Sequence, residues 1–490
     1  MIKKLHIFFF TFCLSLSPAF INGQINVIED FDIANGTYPE GSLVLSGSTL
    51  YGMTSYGGAN NYGTIFSVSV FGTSYTDLHD FNDTLGATPY GSLTLSGVKL
   101  FGMAWRGGID SAGCIFSMNI NGSGYKVLLN FDSANGAYPH GDLLLSGGKL
   151  FGMTSRGGLH DSGRIFSIDT NGNNYKVLYD FKDSNAIPYG SLILSGGRLF
   201  GMTSCGKFDS IISKIDTMLH DTTYRDTLVY DSGSVFAIDT NGKRYRTIQT
   251  FYGGNGETPW GNLTLSGKTL FGMTSHGGTF HKGCLFRVDT NGGRYSRLLN
   301  FDGADTLGSY PHGSLTRAGA ILYGMTGAGR LNNQGGIFSI DTDGTKYTNL
   351  ANFNDSDGAN PFGSLLLSSG QMYGMTQYGG RNNVGVVFAC NQSGAGITEL
   401  STKSEEVRVY PNPSSGKFYV RIDNGHGTMN DDKQSIQIYN MLGKEVFSQF
   451  SVLHGTFSID LSNTANGIYF YRVVSTNGDI IGEGKLVIQK

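Results

Sequence analysis

A segment of about fifty residues repeats seven times along this chain, and this repetition constrains the fold more than any other feature. Each copy opens with a proline, continues into a Phe-Gly-Met-Thr-like segment, and then into an Ile-Phe-Ser-like segment. The repeat proline stands at Pro39, Pro89, Pro139, Pro188, Pro259, Pro311 and Pro361. A unit of this length buries its apolar side only against a neighbouring copy, so the copies must pack in a row or a ring.

Four short segments in each copy have the length and composition of β-strands. In the first copy they cover residues 41–45, 50–55, 63–68 and 75–81. Ser-Gly pairs separate strands one and two. Asn-Gly pairs separate strands three and four, and they predict type I′ turns at Asn121-Gly122, Asn171-Gly172, Asn241-Gly242 and Asn291-Gly292. A four-stranded antiparallel unit repeated in this way predicts an all-β chain whose main domain is a seven-bladed β-propeller.

The two ends of the repeat region hold complementary parts of one copy. Residues 25–31 match the fourth strand of a copy, yet no first three strands precede them. The seventh copy, conversely, lacks the usual tyrosine and closing phenylalanine of its fourth strand. We therefore expect residues 25–31 to complete blade seven of a propeller that spans residues 24–400. An open array, the alternative, would require capping copies rather than two matching parts.

Two variable positions lie where this strand order brings long loops together. If the first strand lines the channel, the two-to-three and four-to-one loops share one face, the long-loop face, and the tight turns share the opposite, short-turn face. The residue after the repeat proline is Glu40, Tyr90, His140, Tyr189, Trp260, His312 or Phe362. The residue before the glycine pair of the two-to-three loop is Tyr56, Arg106, Arg156, Cys205, His276, Ala328 or Tyr378.

These side chains support two interpretations. The aromatic rings could simply cap each blade against its neighbour. Alternatively, aromatic, His and Arg groups form a binding surface, and a glycan is then the natural ligand because aromatic faces stack on sugar rings while Arg and His bond hydroxyls. A surface protein is the second ligand class. We expect a noncatalytic binding protein; the alternative is an extracellular polysaccharide-active enzyme with residues among Glu40, His140, His276 and His312 near the axis.

No established catalytic or metal-binding motif occurs in the sequence, so we predict neither catalytic residues nor a cofactor. Asp-Thr-Asn-Gly at Asp169, Asp239 and Asp289 and Asp-x-Asp-Gly at 341–344 and 355–358 contain parts of calcium loops. They lack the full ligand spacing and the distal glutamate of an EF-hand. Turn chemistry explains them, with calcium as the lesser alternative. The repeated methionines, such as Met53, Met103 and Met153, are expected in the core.

Copy four is longer than the others by about 21 residues, inserted in its two-to-three loop within residues 207–231. The insertion contains Ile211-Ile212 and Met218-Leu219 among several aspartates. It could form a lid or a partner contact over the long-loop face. The alternative is an insertion tolerated at the surface.

The N-terminus has the features of a secretory signal peptide. Lys3 and Lys4 precede an apolar run that is too short to span a bilayer. Cleavage is expected near Gly23, with Ala19 as the alternative, which gives a signal peptide over residues 1–23 and export through the Sec pathway. No other segment is apolar enough for a transmembrane helix. A net charge of −3 gives the chain no overall positive potential that would attract nucleic acid. Four cysteines would remain, and we expect Cys114, Cys205, Cys284 and Cys390 to be unpaired.

A polar linker, residues 401–407, leads into a different pattern over residues 408–490, where alternating strands predict a small Ig-like β-sandwich. This segment resembles the type A sorting domain of the type IX secretion system of Bacteroidota. The resemblance rests on Tyr410, Pro411, Asn412, Pro413, Gly443, Gly467, Tyr469, Gly484 and Lys485. It implies passage through the periplasm, contact with the type IX machinery, and release outside the cell or attachment to its outer surface.

The repeats themselves resemble the glycine-rich tandem GloVer repeats of exported proteins with interchangeable C-terminal anchors. The resemblance covers residues 34–390 through the Leu-Tyr-Gly-Met-Thr and Gly-Thr-Ile-Phe-Ser elements. It implies export and repetition, and it brings no assigned activity with it.

Overall fold

The computed structural model describes residues 25–182, 186–204, 233–304, 306–329, 331–392, 406–423, 434–440, 445–452, 455–475 and 480–490. The chain divides into two compact units, one up to Ala395 and one from Gly396. The expected signal peptide, Cys205, the insertion of copy four and Gly443 lie outside the described residues. Within the described residues, no helix has the length and apolar character that a membrane crossing requires.

The first unit contains β1 (Ile25–Asp30) and then the strands of seven copies. Copies one and two form β2 (Val44–Ser46), β3 (Thr49–Thr54), β4 (Thr64–Ser69), β5 (Tyr75–Asp80), β6 (Thr94–Ser96), β7 (Lys99–Ala104), β8 (Cys114–Asn119) and β9 (Lys126–Asn130). Copies three and four form β10 (Leu144–Ser146), β11 (Lys149–Thr154), β12 (Arg164–Asp169), β13 (Lys176–Asp180), β14 (Ile193–Ser195), β15 (Arg198–Thr203), β16 (Ser234–Asp239) and β17 (Arg246–Thr250).

The remaining copies continue the same order. After a short 3₁₀ helix at Gly253–Asn255, copies five and six form β18 (Thr264–Ser266), β19 (Thr269–Thr274), β20 (Cys284–Asp289), β21 (Ser296–Asn300), β22 (Thr316–Ala318), β23 (Ile321–Thr326), β24 (Gly336–Asp341) and β25 (Thr348–Asn352). Copy seven forms β26 (Leu366–Ser368), β27 (Gln371–Thr376) and β28 (Val386–Asn391). These strands make seven four-stranded antiparallel sheets, which is the all-β propeller architecture predicted from the repeats.

The seventh sheet has the order β1-β28-β27-β26, so the N-terminal strand supplies its outer edge. Ile25 pairs with Cys390, and Asp30 pairs with Val386. Behind this strand, the Phe31 ring packs edge-on against Phe66 of the first copy at 5.1 Å between ring centroids. The beginning and the end of the repeat region are therefore joined by backbone pairing and by core packing.

The core lies between adjacent sheets rather than within one copy. One cluster combines Phe101, Met103 and Phe131 of copy two with Leu150 and Phe166 of copy three. Met53, Met103 and Met153 are each 3% exposed, as predicted. Cys114, Cys284 and Cys390 are buried and free, which also agrees with the sequence.

The two faces are arranged as the strand order predicts. On the short-turn face, the Val70 N–H donates to the Ser48 carbonyl and joins the two tight turns of copy one. On the long-loop face, Thr37 bridges to Tyr56, the equivalent bridge recurs in five other copies, and in copy four Ile187 bridges to Ser204, one residue further along on one strand and one residue back on the other. The four-to-one and two-to-three loops therefore lie side by side in every copy.

The predicted type I′ turns are wrong. At Asn171-Gly172, only the glycine has a positive φ, +92°, and the Gly172 N–H donates to the Asp169 carbonyl. A type I turn over Thr170 and Asn171 followed by a left-handed glycine satisfies this pattern, because the Asn171 side chain accepts from the Asn173 N–H at 2.9 Å and stabilises the turn. The motifs at Asp169, Asp239, Asp289 and 341–344 are turns of this kind, and in the last of them Asp343 accepts from both the N–H and the hydroxyl of Thr345. The motif at 355–358 is a different turn, in which Asp355 itself has a positive φ of +66°.

The second unit consists of two antiparallel sheets. One contains β29 (Glu406–Tyr410), β30 (Lys417–Asp423) and β33 (Gly455–Asp460); the other contains β31 (Gln434–Asn440), β32 (Glu445–Val452), β34 (Gly467–Ser475) and β35 (Ile480–Ile488). Phe418 and Val420 of the first sheet share one core with Ile436, Tyr471 and Leu486 of the second. Two sheets packed over a common core form the predicted β-sandwich.

Candidate functional site

A ring of glycines brings the seven copies together at the axis. A Cβ atom built on Gly41 would lie under 3.0 Å from the Gly91 carbonyl oxygen, and each axial glycine meets the next in the same way. The ring consists of Gly41, Gly91, Gly141, Gly190, Gly261, Gly313 and Gly363. Because the last of these contacts the first, the ring is closed, and no larger residue fits at these positions.

Hydrogen bonds follow the same path one residue further along the chain. The Ser42 N–H donates to the Ser92 Oγ of the next copy at 2.8 Å, and the Ser92 N–H donates to Asp142 Oδ1 at 2.5 Å. The remaining donor N–H groups belong to Asp142, Ser191, Asn262, Ser314 and Ser364. Seven side chains therefore tie seven copies in a closed cycle.

The seven side chains predicted after the repeat proline lie directly beside these rings. Together with the glycines and the polar side chains they line an axial cavity of about 60 Å³. Ligand pockets for sugar-sized molecules are usually several hundred Å³. The axial cavity is thus wide enough for a few waters at most, and a larger ligand must lie across the face instead of entering the axis.

Six of these seven side chains pack against one another. Tyr189 stacks on Trp260 with ring centroids 4.5 Å apart, and His312 stacks on Phe362 at 4.1 Å. On the other side Tyr90 stacks on His140 at 4.8 Å. Trp260 also makes edge contacts with His140 and His312, at 5.8 Å and 5.7 Å. The rings therefore close the axis, so the packing interpretation describes most of this set.

Burial controls the protonation of the polar members. It lowers the pKa of His140 to about 4 and, with the nearby His276, lowers the pKa of His312 to about 3, so both imidazoles are neutral at pH 7. The Glu40 carboxyl accepts from Gln377 Nε2 at 2.9 Å. Burial nevertheless raises the pKa of Glu40 to about 7, because the single hydrogen bond offsets only part of the lost hydration.

The second predicted set lies further from the axis and is more open. Tyr56 and Tyr378 are 39% and 37% exposed, and Arg106 is exposed with its guanidinium carbon 4.2 Å from the Trp105 ring centroid. Arg156 and His276 are partly buried, and His276 lies 5.1 Å from the Tyr310 ring. Ala328 leaves copy six without a comparable side chain.

Several residues outside the two predicted sets connect these sets into one surface. Tyr38 contacts Tyr378 at 5.3 Å and Tyr56 at 6.2 Å, while Trp105 contacts Tyr90 at 5.2 Å and Tyr138 at 5.5 Å. Burial raises the pKa of Tyr90, and the neighbouring Glu40 and Tyr56 add to this shift, which places Tyr56 close to Tyr90. We name the resulting surface the aromatic arc; it consists of Tyr378, Tyr38, Tyr56, Tyr90, Trp105 and Tyr138, with Arg106 at its rim.

A sequence signal for these residues existed. Tyr38 and Tyr138 stand immediately before the repeat proline, and both adopt a left-handed backbone with φ of +55° and +54°. Trp105 and Gln377 occupy a position that is serine in copies one, three, four and five. A departure from the repeated residue at a loop position is the signal that could have identified them.

The structure does not bring the proposed acid–base residues into one cluster, although His276 lies near His312. Trp260 lies between His140 and His312, and Glu40 bonds Gln377 rather than a histidine. In the described part of the chain, no group of three or more His, Cys, Asp or Glu residues is arranged to hold a metal ion.

The sorting residues lie in the second unit. Asn412 Nδ2 donates to the Lys485 carbonyl at 2.6 Å, and Asn412 Oδ1 accepts from the Val487 N–H at 2.8 Å, so this side chain anchors the proline-rich segment to β35. Gly484 lies against the Tyr471 ring, where a Cβ would clash. Tyr469 is buried, whereas Tyr410 is 44% exposed beside Tyr419.

Comparison with known families covers both units. The Gloeobacter/Verrucomicrobia repeat model matches residues 12–211 and 207–427, and the secretion system C-terminal sorting domain model matches residues 408–489. The sorting domain implies interaction with the type IX secretion machinery and export to the cell surface or the extracellular space. No curated protein sequence matches the chain.

Solved structures with a related architecture are distant. The periplasmic gluconolactonase PpgL of Pseudomonas aeruginosa is 17% identical, with a TM-score of 0.42, over 63% of this chain and 83% of its own. The polysaccharide lyase Uly1 is 9% identical, with a TM-score of 0.46, over 74% of this chain and 90% of its own.

Proposed function

The chain belongs to the Gloeobacter/Verrucomicrobia repeat family and ends in a secretion sorting domain, and from this premise we propose that it is an exported, noncatalytic binding protein whose aromatic arc holds a carbohydrate. One observation carries the proposal. Six aromatic side chains follow one another across copies seven, one, two and three, whereas in copies five and six the axial Trp260 and His312 are held in ring stacks and the outer position holds His276 beside Tyr310 and then Ala328. A general packing role would be expected equally in all copies.

The chemistry of the arc suits sugar rings lying across the face. The Tyr56 and Tyr378 rings are partly exposed, and their aromatic surfaces can stack on the C–H faces of a pyranose. Arg106 is exposed beside Trp105, where its guanidinium donors can bond hydroxyl groups. The narrow axial cavity favours an extended glycan over a small molecule that enters the channel.

Binding is favoured over catalysis because, among the residues that the structure describes, no aligned acid–base pair accompanies the arc. Glu40 has a pKa of about 7, which suits a proton-transfer role, but a hydrolase or lyase needs a second group aligned with it. His140 and His312 are held in ring stacks instead.

A glycan array probed with the purified protein, followed by calorimetry on each hit, tests the proposal. The double variant Tyr56→Ala/Tyr378→Ala should weaken binding about tenfold or more, since each stacked ring contributes about 1 kcal/mol. Tyr252→Ala is the matched control, because Tyr252 is a 66% exposed tyrosine outside the arc.

Three results would count against the proposal. Equal losses in the double variant and in Tyr252→Ala would remove the arc as the site. Turnover of a bound polysaccharide would favour the enzyme. Absence of binding to every glycan on the array would favour a surface protein as the ligand.

A further inference from the structure

The short-turn face of copy four contains a second cavity, of about 590 Å³, which is far larger than the one at the axis. It lies between the Gly196-Gly197 turn and the turn that follows β16. Three arginines and one acid line it: Arg198, Arg244, Arg246 and Asp239. Its volume falls within the range that small-molecule and sugar sites occupy.

The arginines are held in place by separate contacts. Asp239, which is 6% exposed, accepts from Arg244 Nε through Oδ2 at 2.7 Å, and its Oδ1 lies 3.4 Å from Arg198 Nε. Arg246 Nη2 donates to the Thr290 carbonyl of copy five at 3.1 Å. Each guanidinium is thus oriented before any ligand arrives, and pre-orientation reduces the entropy lost on binding.

This arrangement is specific to copy four. Copy three has Lys149, Asn174 and Lys176 at the positions of the three arginines, copy five has Thr269, Arg294 and Ser296, and copy six has Ile321, Lys346 and Thr348. The aspartate is present in all four copies, at Asp169, Asp239, Asp289 and Asp341, and of these only Asp239 is buried. The turn itself therefore needs only the aspartate and one partner, and three arginines exceed that requirement.

The charge in the cavity is positive although the whole chain has a net charge of −3. Three guanidiniums against one carboxylate leave two positive charges, and Lys176 Nζ approaches from copy three, 3.4 Å from the Asn241 carbonyl at the rim. Arg244 is 83% exposed, so the part of its guanidinium beyond Nε remains accessible to a ligand.

We propose that this arginine cavity binds an oxyanion group, a sulfate, phosphate or carboxylate, carried by an anionic sugar or present as the free ion. Planar guanidinium groups match such oxyanions with paired N–H donors, which a lysine cannot do. The site lies on the opposite face from the aromatic arc, so either proposal can fail while the other holds.

Calorimetry on the full purified chain at low ionic strength tests the site with three probes: sodium sulfate, dextran sulfate and neutral dextran. Binding of dextran sulfate alone identifies a sugar-borne oxyanion, and equal binding of sodium sulfate per sulfate group identifies the free ion. Neutral dextran should not bind at this cavity. Absence of binding by both anionic probes would overturn the proposal.

Variants locate the binding. Arg244→Ala/Arg246→Ala should weaken the anionic probe about tenfold or more, and Arg244→Lys should weaken it several-fold because the paired donors are lost. Arg294→Ala is the control, since Arg294 occupies the same turn position in copy five and is 89% exposed. An equal loss of affinity in Arg294→Ala would show that the probe is attracted by general surface charge, and this would overturn the proposal. Full affinity in the double variant would overturn it as well.

Discussion

The backbone N–H of Ser364 donates a hydrogen bond to the Oγ of Ser42 at 2.8 Å, although the two residues are 322 positions apart in the chain. This bond completes the cycle that begins at Ser42 and passes through every copy. The beginning of the first copy and the beginning of the last are therefore in direct contact at the axis, where the glycines leave no space for a Cβ.

Replacing Gly41 by alanine should lower the free energy of unfolding by about 3 kcal/mol, because the new Cβ would meet the rigid Gly91 carbonyl. Gly47→Ala is the control: its φ is +61° and nothing lies within 4 Å of the added atom, so only the left-handed backbone costs energy, about 1 kcal/mol. Urea unfolding of the two variants measures both losses of stability. Equal losses would show that the glycine ring does not limit the approach of the copies.

Phe31→Ala should destabilise the protein by about 4 kcal/mol, since the ring is fully buried and packs against Phe66 of the first copy. Phe71→Ala removes the same side chain from a site where it is 77% exposed, and we expect a change within about 0.5 kcal/mol. Denaturant unfolding of the two variants compares them directly. A loss at Phe31 no larger than that at Phe71 would mean that the N-terminal segment contributes little to closure.

Glu40→Gln should change how stability depends on pH. The pKa of Glu40 is raised to about 7 from an ordinary 4.5, so the folded state binds the extra proton between these values and loses stability as pH rises through them. The variant, whose amide can still accept from Gln377, avoids this loss, which amounts to about 3 kcal/mol. Urea unfolding should show that the variant is more stable than the wild type by a much larger margin at pH 8 than at pH 5; a constant difference would contradict the burial of this carboxyl.

His312→Phe should make the protein more resistant to acid. Burial lowers the pKa of His312 to about 3 from 6.5, so its contribution to stability is present above about pH 6.5 and is lost as pH falls toward 3. Phenylalanine keeps the stack on Phe362 and has no proton to gain, and we expect it to retain about 3 kcal/mol more at pH 4. His160→Phe, at an exposed histidine, serves as the control; equal shifts in both variants would rule out burial as the cause.

The strand pattern of the repeat could be predicted because it depends on local rules. Turn residues separate short apolar segments, and the half-copies at residues 25–31 and in copy seven correspond to the pairing of β1 with β28. The turn type at the Asn-Gly pairs could not be predicted, because Asn-Gly fits both a type I′ turn and a type I turn followed by a left-handed glycine. The hydrogen bonds of the surrounding sheet determine which of the two forms.

The candidate site was only partly predictable. Periodicity identified which residues reach the long-loop face, but it gives no side-chain direction, so it could not decide between packing and ligand binding for Trp260, which is found stacked on Tyr189. The contribution of Tyr38 depends on a left-handed backbone before proline, which sequence rules disfavour. Only the three-dimensional contacts show that Tyr38 lies between Tyr56 and Tyr378.

The pairing that closes the ring has a mechanical consequence. The chain enters at Ile25 and leaves beyond Asn391 at the same end of the antiparallel pair, because Ile25 pairs with Cys390 while Asp30 pairs with Val386. Tension between the two chain ends would therefore load the ladder one hydrogen bond at a time, in an unzipping geometry, instead of shearing all its bonds together. Single-molecule force spectroscopy should show this seam opening before any internal sheet, because tension between the chain ends reaches it first, so the ring would begin to unravel where the ring was completed.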